Sequence, residues 1–468
     1  MKSLHQPPSK KTRGRIKQDG VFSVFWLNPI VIIMGFILPL VSVCFFLPAN
    51  TYSEMWDTPK YFNNKEYFLC LATICFMILG AVFSVLLPSK NDNNTVVKIK
   101  AGFYKMQLYK CYKIATILCL SAYGIWIALM INNGLRFNDL TDMMMGDEGS
   151  NYVIRSYSEF IPGLTTLVQL DVCVAILYAL LWNSIRSKWF HLSGWAVFLL
   201  TLFRSFFNSE RLALVEAALP VILVLFRLHW RRIPRFWFYF FPVLVILTPY
   251  VLFVITERSR YWTNIASGHN TNYFEFCFYH LIGYYATALN NGAALWDFNM
   301  TFGGPTTVFN WFYNFPLLRP FIMGLMSSPA DDYGLFLHNY LNEQFTNPSG
   351  IFPVFLDLGI YLGSFFWFGC GFISMSLYRG FVRGRLVGFL LFPTLVVGLV
   401  EIPRIFYWTS TRAFPIWCFL WIIIYFIWHS KGQAPAFNRQ RRQGEKANKV
   451  NIEEKVKLSS ENGHTEIT

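Results

Sequence analysis

The chain has 468 residues, of which 54% are hydrophobic and only 14% charged, and its net charge is +14. A soluble domain carries about 25% charged residues. Here many apolar runs reach the roughly 18 residues that a bilayer span needs, so a soluble fold is excluded. Most of the positive charge falls in short loops and tails on one side, as the positive-inside rule describes. No nucleic-acid reading motif accompanies it, so no nucleic-acid partner is expected.

In chain order, residues 1–20 are polar and basic. Lys10, Lys11, Arg13, Arg15 and Lys17 precede a long apolar run without a small-residue cleavage site, which predicts a cytoplasmic tail and not a cleaved signal. Apolar spans are expected at 21–48, 67–87, 111–132, 160–182, 190–207, 212–228, 236–255, 352–378, 386–403 and 412–428. Lysines and arginines at 88–110, 186–188, 231–235 and 379–385 mark the inner side. The expectation is an all-α, polytopic membrane protein with about ten transmembrane helices and both termini cytoplasmic. Its transmembrane unit, 21–428, contains one long outer loop at 256–351, between the seventh and eighth spans. The polar tail 429–468 has the composition of a disordered segment.

Cys44, Cys70, Cys75, Cys111, Cys119, Cys173, Cys277, Cys370 and Cys418 fall almost entirely in apolar runs. They form no CxxC and no ligand spacing with histidine, so they read as core residues, with no metal and no cofactor expected.

Arginine is the exception to this apolar pattern. Arg211, Arg404 and Arg412 lie inside or at the outward end of apolar runs, and Arg258 and Arg260 open the long outer loop. Charges at membrane depth are costly and persist mainly for function. Clustered guanidinium groups suit an anionic ligand, a lipid-linked phosphate first among them. The bland alternative for Arg211 is an arginine snorkelling from a helix end. Arg204 stands a turn or two earlier, on the preceding span. Arg404 and Arg412 would share a face of one continuous helix. Pro403 and the polar run Thr409–Thr411 instead suggest a broken turn, with Glu401 in reach of Arg404.

The long loop is rich in aromatics. Tyr284, Tyr285, Trp296, Trp311, Tyr313 and Phe315 offer faces on which sugar rings can stack. The same residues would also anchor an interfacial helix. Near the loop's end, His338, Glu343 and Asp357 are the titratable groups that can serve as a general base on a hydroxyl. Each is also an ordinary cap or salt-bridge partner. His269 and His280 read as plain loop residues, and no P-loop, HExxH, GxSxG or EF-hand pattern occurs.

Over about residues 21–430 the chain resembles the Wzy-type oligosaccharide repeat-unit polymerases of bacterial surface polysaccharides, such as the O-antigen polymerases. The resemblance is carried by IPGLTTLVQ at 161–169, SERLALVEAALP at 209–220, NPSGIFPVFLDLG at 347–359, the arginines of EIPRIFYWTSTR at 401–412 and the long outer loop. It implies a glycosyltransferase of the bacterial cytoplasmic membrane whose substrate is an undecaprenyl-pyrophosphate-linked oligosaccharide. Such an enzyme moves a growing glycan en bloc onto a newly flipped repeat unit at the outer face. The resemblance implies pyrophosphate contacts for Arg211, Arg404 and Arg412, then Arg258 and Arg260. A chain-length regulator protein stands as an open partner.

Three other functions fit parts of the pattern. A ligase of similar architecture would transfer finished glycan to another acceptor. A single-sugar transferase would want a paired acidic motif in its first large outer loop, where only Glu54 and Asp57 occur. A flippase would be expected to show related halves, and no internal repeat is evident.

Overall fold

The computed structural model describes residues 24–88, 104–145, 150–157, 165–207, 211–230, 233–266, 272–300, 306–314, 320–321 and 329–430. Both tails lie outside these residues, as do most of the inner stretch 88–110, Glu210, His269, Phe315 and the Arg211 side chain.

A helix occupies each stretch expected to be an apolar span: α1 (Pro29–Phe46), α3 (Asn64–Leu86), α4 (Lys105–Asn132), α7 (Asp171–Leu181), α8 (Lys188–Phe207), α9 (Arg211–His229), α10 (Arg235–Thr256), α15 (Phe352–Val382), α16 (Leu386–Glu401) and α17 (Ala413–Ser430). Shorter helices join them: α2 (Ala49–Trp56), α5 (Phe137–Met145), α6 (Ser150–Tyr157), α11 (Arg258–Ala266), α13 (Asn310–Tyr313) and α14 (Pro329–Tyr340). Five of the described helices are long and apolar enough to cross a membrane: α1, α3, α4, α9 from Leu212, and α15. Thr166–Leu181, Phe240–Ile255, Leu386–Glu401 and Ala413–His429 are apolar but shorter. Among the described residues no strand forms, and Ser349 and Ile405 make an isolated bridge.

Two helices organise the core. Nearly every residue of α16 is buried, including Leu390, Phe392, Val397 and Leu399, as expected of a helix that is apolar all round. Beside it, α3 and α15 pack backbone to backbone. A methyl group at Gly80 would collide with the Phe368 carbonyl, and one at Gly371 with that of Met77.

The second organiser sits within the expected outer loop. Helix α12 (Tyr273–Asp297) folds back onto the bundle, with Ala286–Leu295 buried throughout. Two adjacent asparagines on it act as clamps. Asn290 Oδ1 accepts from the amides of Tyr61 and Phe62, at 2.6 and 3.1 Å. Asn291 Nδ2 donates to the carbonyls of Phe345 and Asn347, at 2.6 and 3.3 Å. Buried backbone groups need such partners, so α12 fixes the α2–α3 connection on one side and the loop before α15 on the other. That loop is tied in turn to the end of α16, because the Gly350 amide donates to the Ile402 carbonyl at 2.9 Å.

Arg204 belongs to this packing. It is buried, with its guanidinium 3.4 Å from Asp171 and 3.4 Å from the amide oxygen of Gln169. Thr201 and Tyr123 donate to the same Asp171 carboxylate, at 2.9 and 3.3 Å. A buried charge is tolerated when it is paired and hydrogen-bonded, and this network joins α4, α7 and α8.

Candidate anion site at the end of an apolar slot

A cavity of about 1170 Å³ opens between α1, α9, α10, α12 and α16, above the upper end of the roughly 300–1,000 Å³ of ordinary ligand cavities. Much of its wall is apolar: Val31, Gly35 and Leu40 on α1, Leu212 and Leu219 on α9, and Val396 and Val397 on α16. On α10 both internal prolines, Pro242 and Pro249, face it. Between Val31 and Leu40 the slot follows α1 for roughly 14 Å, at 1.5 Å per residue. Gly35 lies in a single π-turn, Ile33–Ile37, and a Cβ added there would meet nothing within 4 Å.

The other end is polar. Arg260, Arg404 and Arg412 line it, together with Glu343, Glu401 and the 344–347 loop. These groups arrive from separate elements for local reasons. Helix α16 stops at Glu401 and a 3-10 turn, Tyr407–Thr409, intervenes before α17. Pro403 and Thr409–Thr411 thus break the helix as the sequence suggests, and both arginines sit in the break. Arg260 lies on α11 and reaches the same place across Tyr284. Its Nη1 is 3.5 Å from the Tyr284 hydroxyl, while the Arg404 guanidinium lies over the Tyr284 ring at 5.2 Å. One tyrosine therefore brings two guanidinium groups together, using its hydroxyl for one and its π face for the other.

Each lining arginine has a glutamate beside it. Arg404 Nη1 is 3.0 Å from Glu401, Arg260 Nη1 is 3.3 Å from Glu257, and Arg412 Nη1 is 3.8 Å from Glu216. The arginine side chains keep 17–28% of their surface exposed, whereas Glu216 and Glu257 are fully buried. The buried Nε of Arg404 makes no hydrogen bond among the described residues. Burial pushes the Tyr285 phenol well above its ordinary pKa, so it lines the cavity as a neutral group.

The residues expected in a site divide accordingly. Arg260, Arg404, Arg412, Tyr284, Tyr285 and Glu343 meet at the cavity. Arg211 begins α9 beside the lining residue Leu212. Arg258 is exposed and outside the lining. His338 is exposed and bonded to Glu343 at 2.8 Å, one step behind the wall. Asp357 does not line the cavity. Its Oδ2 accepts from the amides of Thr307 and Val308, at 2.6 and 2.9 Å, and so anchors the middle of the outer loop to α15. Three of the expected sugar-stacking aromatics are taken up by packing or lie apart from the lining. Trp311 stacks on Phe414 at 4.5 Å, Trp296 meets Phe355 edge-on, and Tyr313 is half-buried.

Sequence reasoning missed Glu216 and Glu257 as partners and treated His280 as a loop residue. His280 is buried, 3.7 Å from Glu257. The i, i+3 spacing of Glu257 with Arg260 was the available signal. Nothing in the sequence links Glu216 to Arg412.

Among the described residues no group of three His, Cys, Asp or Glu side chains is placed to hold a metal ion. No protein-family model matches the chain, and neither curated proteins nor solved structures give a match.

Proposed function

We propose that this chain is a multi-pass glycosyltransferase of the bacterial cytoplasmic membrane that joins undecaprenyl-pyrophosphate-linked oligosaccharide repeat units, as the Wzy-type polymerases do. The proposal includes about ten spans, both termini in the cytoplasm and the arginine end of the cavity at the outer face. The observation that carries it is one continuous cavity with an apolar slot at one end and Arg260, Arg404 and Arg412 at the other. A prenyl chain suits the slot, and a pyrophosphate suits guanidinium forks better than it would suit lysines.

In the reaction, a hydroxyl of the incoming repeat unit attacks the anomeric carbon of the growing glycan. The new C–O bond forms as the bond to the carrier pyrophosphate breaks, and the pyrophosphate leaves with the electron pair. The guanidinium groups oppose the charge that develops on the leaving oxygens, in a partly dry site where such stabilisation is strong. The hydroxyl proton passes to a carboxylate at the cavity mouth. Glu343 is that base, with His338 hydrogen-bonded behind it. Tyr284 and Tyr285 offer the aromatic wall beside the anomeric centre.

The test is reconstitution in liposomes with defined lipid-linked repeat units. A polymerase yields a ladder of products spaced by one repeat and releases carrier pyrophosphate. A single transfer to a different acceptor, or movement of the lipid across the bilayer with no new glycosidic bond, contradicts the proposal.

A further inference from the structure

The three lining arginines share a construction that their anion-binding role does not itself require. Each has a protein carboxylate within 4 Å, hydrogen-bonded for Arg260 and Arg404 and at 3.8 Å for Arg412, and the three carboxylates come from three places: Glu216 on α9, Glu257 at the junction of α10 and α11, and Glu401 at the last residue of α16. An anion site would be expected to avoid negative charge close by. Here every cation has an acidic neighbour within 4 Å.

Burial explains how such an arrangement acts. Glu216 and Glu257 have no exposed side-chain surface, and an ionised carboxylate in that position needs its cation. The glutamate cannot follow the arginine into solvent, so the arginine stays at the wall. Arginine otherwise carries large rotamer freedom, and immobilising it before the ligand arrives removes that cost from binding. Glu257 is itself flanked by His280 at 3.7 Å. The same Nη1 of Arg260 that meets Glu257 is also 3.5 Å from the hydroxyl of Tyr284, whose ring Arg404 covers. A guanidinium tied by one edge to a carboxylate still has donors for a second anion, because it carries five N–H groups in a planar fork.

We infer that Glu216, Glu257 and Glu401 are positioning residues that fix Arg412, Arg260 and Arg404 in one anion-binding geometry, and that this fixed spacing selects a pyrophosphate over a monophosphate. The inference rests on the cavity being the site of a prenyl pyrophosphate.

The sign of one substitution separates positioning from simple counter-charge. Glu257→Gln, Glu216→Gln and Glu401→Gln each remove a negative charge from the site. Were the carboxylates only opposing charge, each variant would bind farnesyl pyrophosphate more tightly than wild type. Positioning predicts the reverse. Binding to the full chain in nanodiscs weakens roughly tenfold or more, and the preference over farnesyl monophosphate shrinks.

Double-variant cycles then exclude a general loss of fold. Glu257→Gln adds little on top of Arg260→Ala but acts additively with Arg412→Ala. The reciprocal result holds for Glu216 with Arg412. Should either buried glutamine variant not fold, Glu401→Gln carries the test, because Glu401 reaches the cavity wall. Equal or tighter binding by the glutamine variants, with unchanged selectivity, overturns the inference while leaving the cavity's ligand class intact. Failure of wild type to bind farnesyl pyrophosphate overturns the reading of the cavity and this inference with it.

Discussion

The slot makes a prediction that can be separated from the arginines. Gly35 lines it, and a Cβ placed there meets open space. Gly35→Phe should therefore fold, with some gain from replacing glycine within a helix. Its ring would point into the slot and compete with the ligand's chain. If it removes three chain carbons from contact, the loss at about 0.8 kcal/mol each is about 2.4 kcal/mol. That corresponds to a roughly 60-fold weaker Kd. The assay compares farnesyl pyrophosphate with inorganic pyrophosphate on the same protein in nanodiscs, with thermal unfolding as the control for fold. Farnesyl pyrophosphate should lose affinity, inorganic pyrophosphate should not, and the Tm should hold or rise. Equal affinity of wild type and Gly35→Phe for the prenyl ligand, in a folded protein, would refute the assignment of the slot to a hydrocarbon chain.

Arg404→Lys keeps the charge but loses the planar fork, and should weaken pyrophosphate binding about tenfold, the value of one charge-assisted hydrogen bond. Glu343→Gln should leave prenyl-pyrophosphate binding near wild type and lower turnover about 10²- to 10⁴-fold if it removes the base. Asp357→Asn should instead act on stability, seen as a lower Tm, because its carboxylate holds the Thr307 and Val308 amides. Asp171→Ala leaves buried Arg204 without its carboxylate, which costs about 3–5 kcal/mol. That variant should fail to accumulate in the membrane, whereas Asp171→Asn should be milder.

The helices were legible because they are long apolar runs, and that pattern needs no tertiary knowledge. Helix α12 was legible as helical but not as buried. His280, Asn290 and Asn291 lower its apolar character, and those same residues are what it buries. The value of Asn290 and Asn291 depends on distant backbone groups at Tyr61, Phe62 and Phe345, which no local pattern reveals. Arg404 and Arg412 stood out in sequence because charge inside an apolar run is rare. Arg204 stood out for the same reason but pairs with Asp171 in the packed core. Misplaced charge thus signals a buried partner or a ligand, and only the fold separates the two. The aromatics of the outer loop were harder still. Tyr284 and Trp311 look alike in sequence, yet one meets two arginines and the other stacks on Phe414.

We propose that one cavity holds a prenyl pyrophosphate with its chain in the slot and its phosphates on the arginines. A cryo-electron microscopy structure of the full chain in nanodiscs with undecaprenyl pyrophosphate tests it most directly. Phosphate density is expected between Arg260, Arg404 and Arg412, with chain density running past Gly35 toward Val31. Phosphate density away from all three arginines, or a slot filled by annular lipid while the pyrophosphate binds elsewhere, would contradict it.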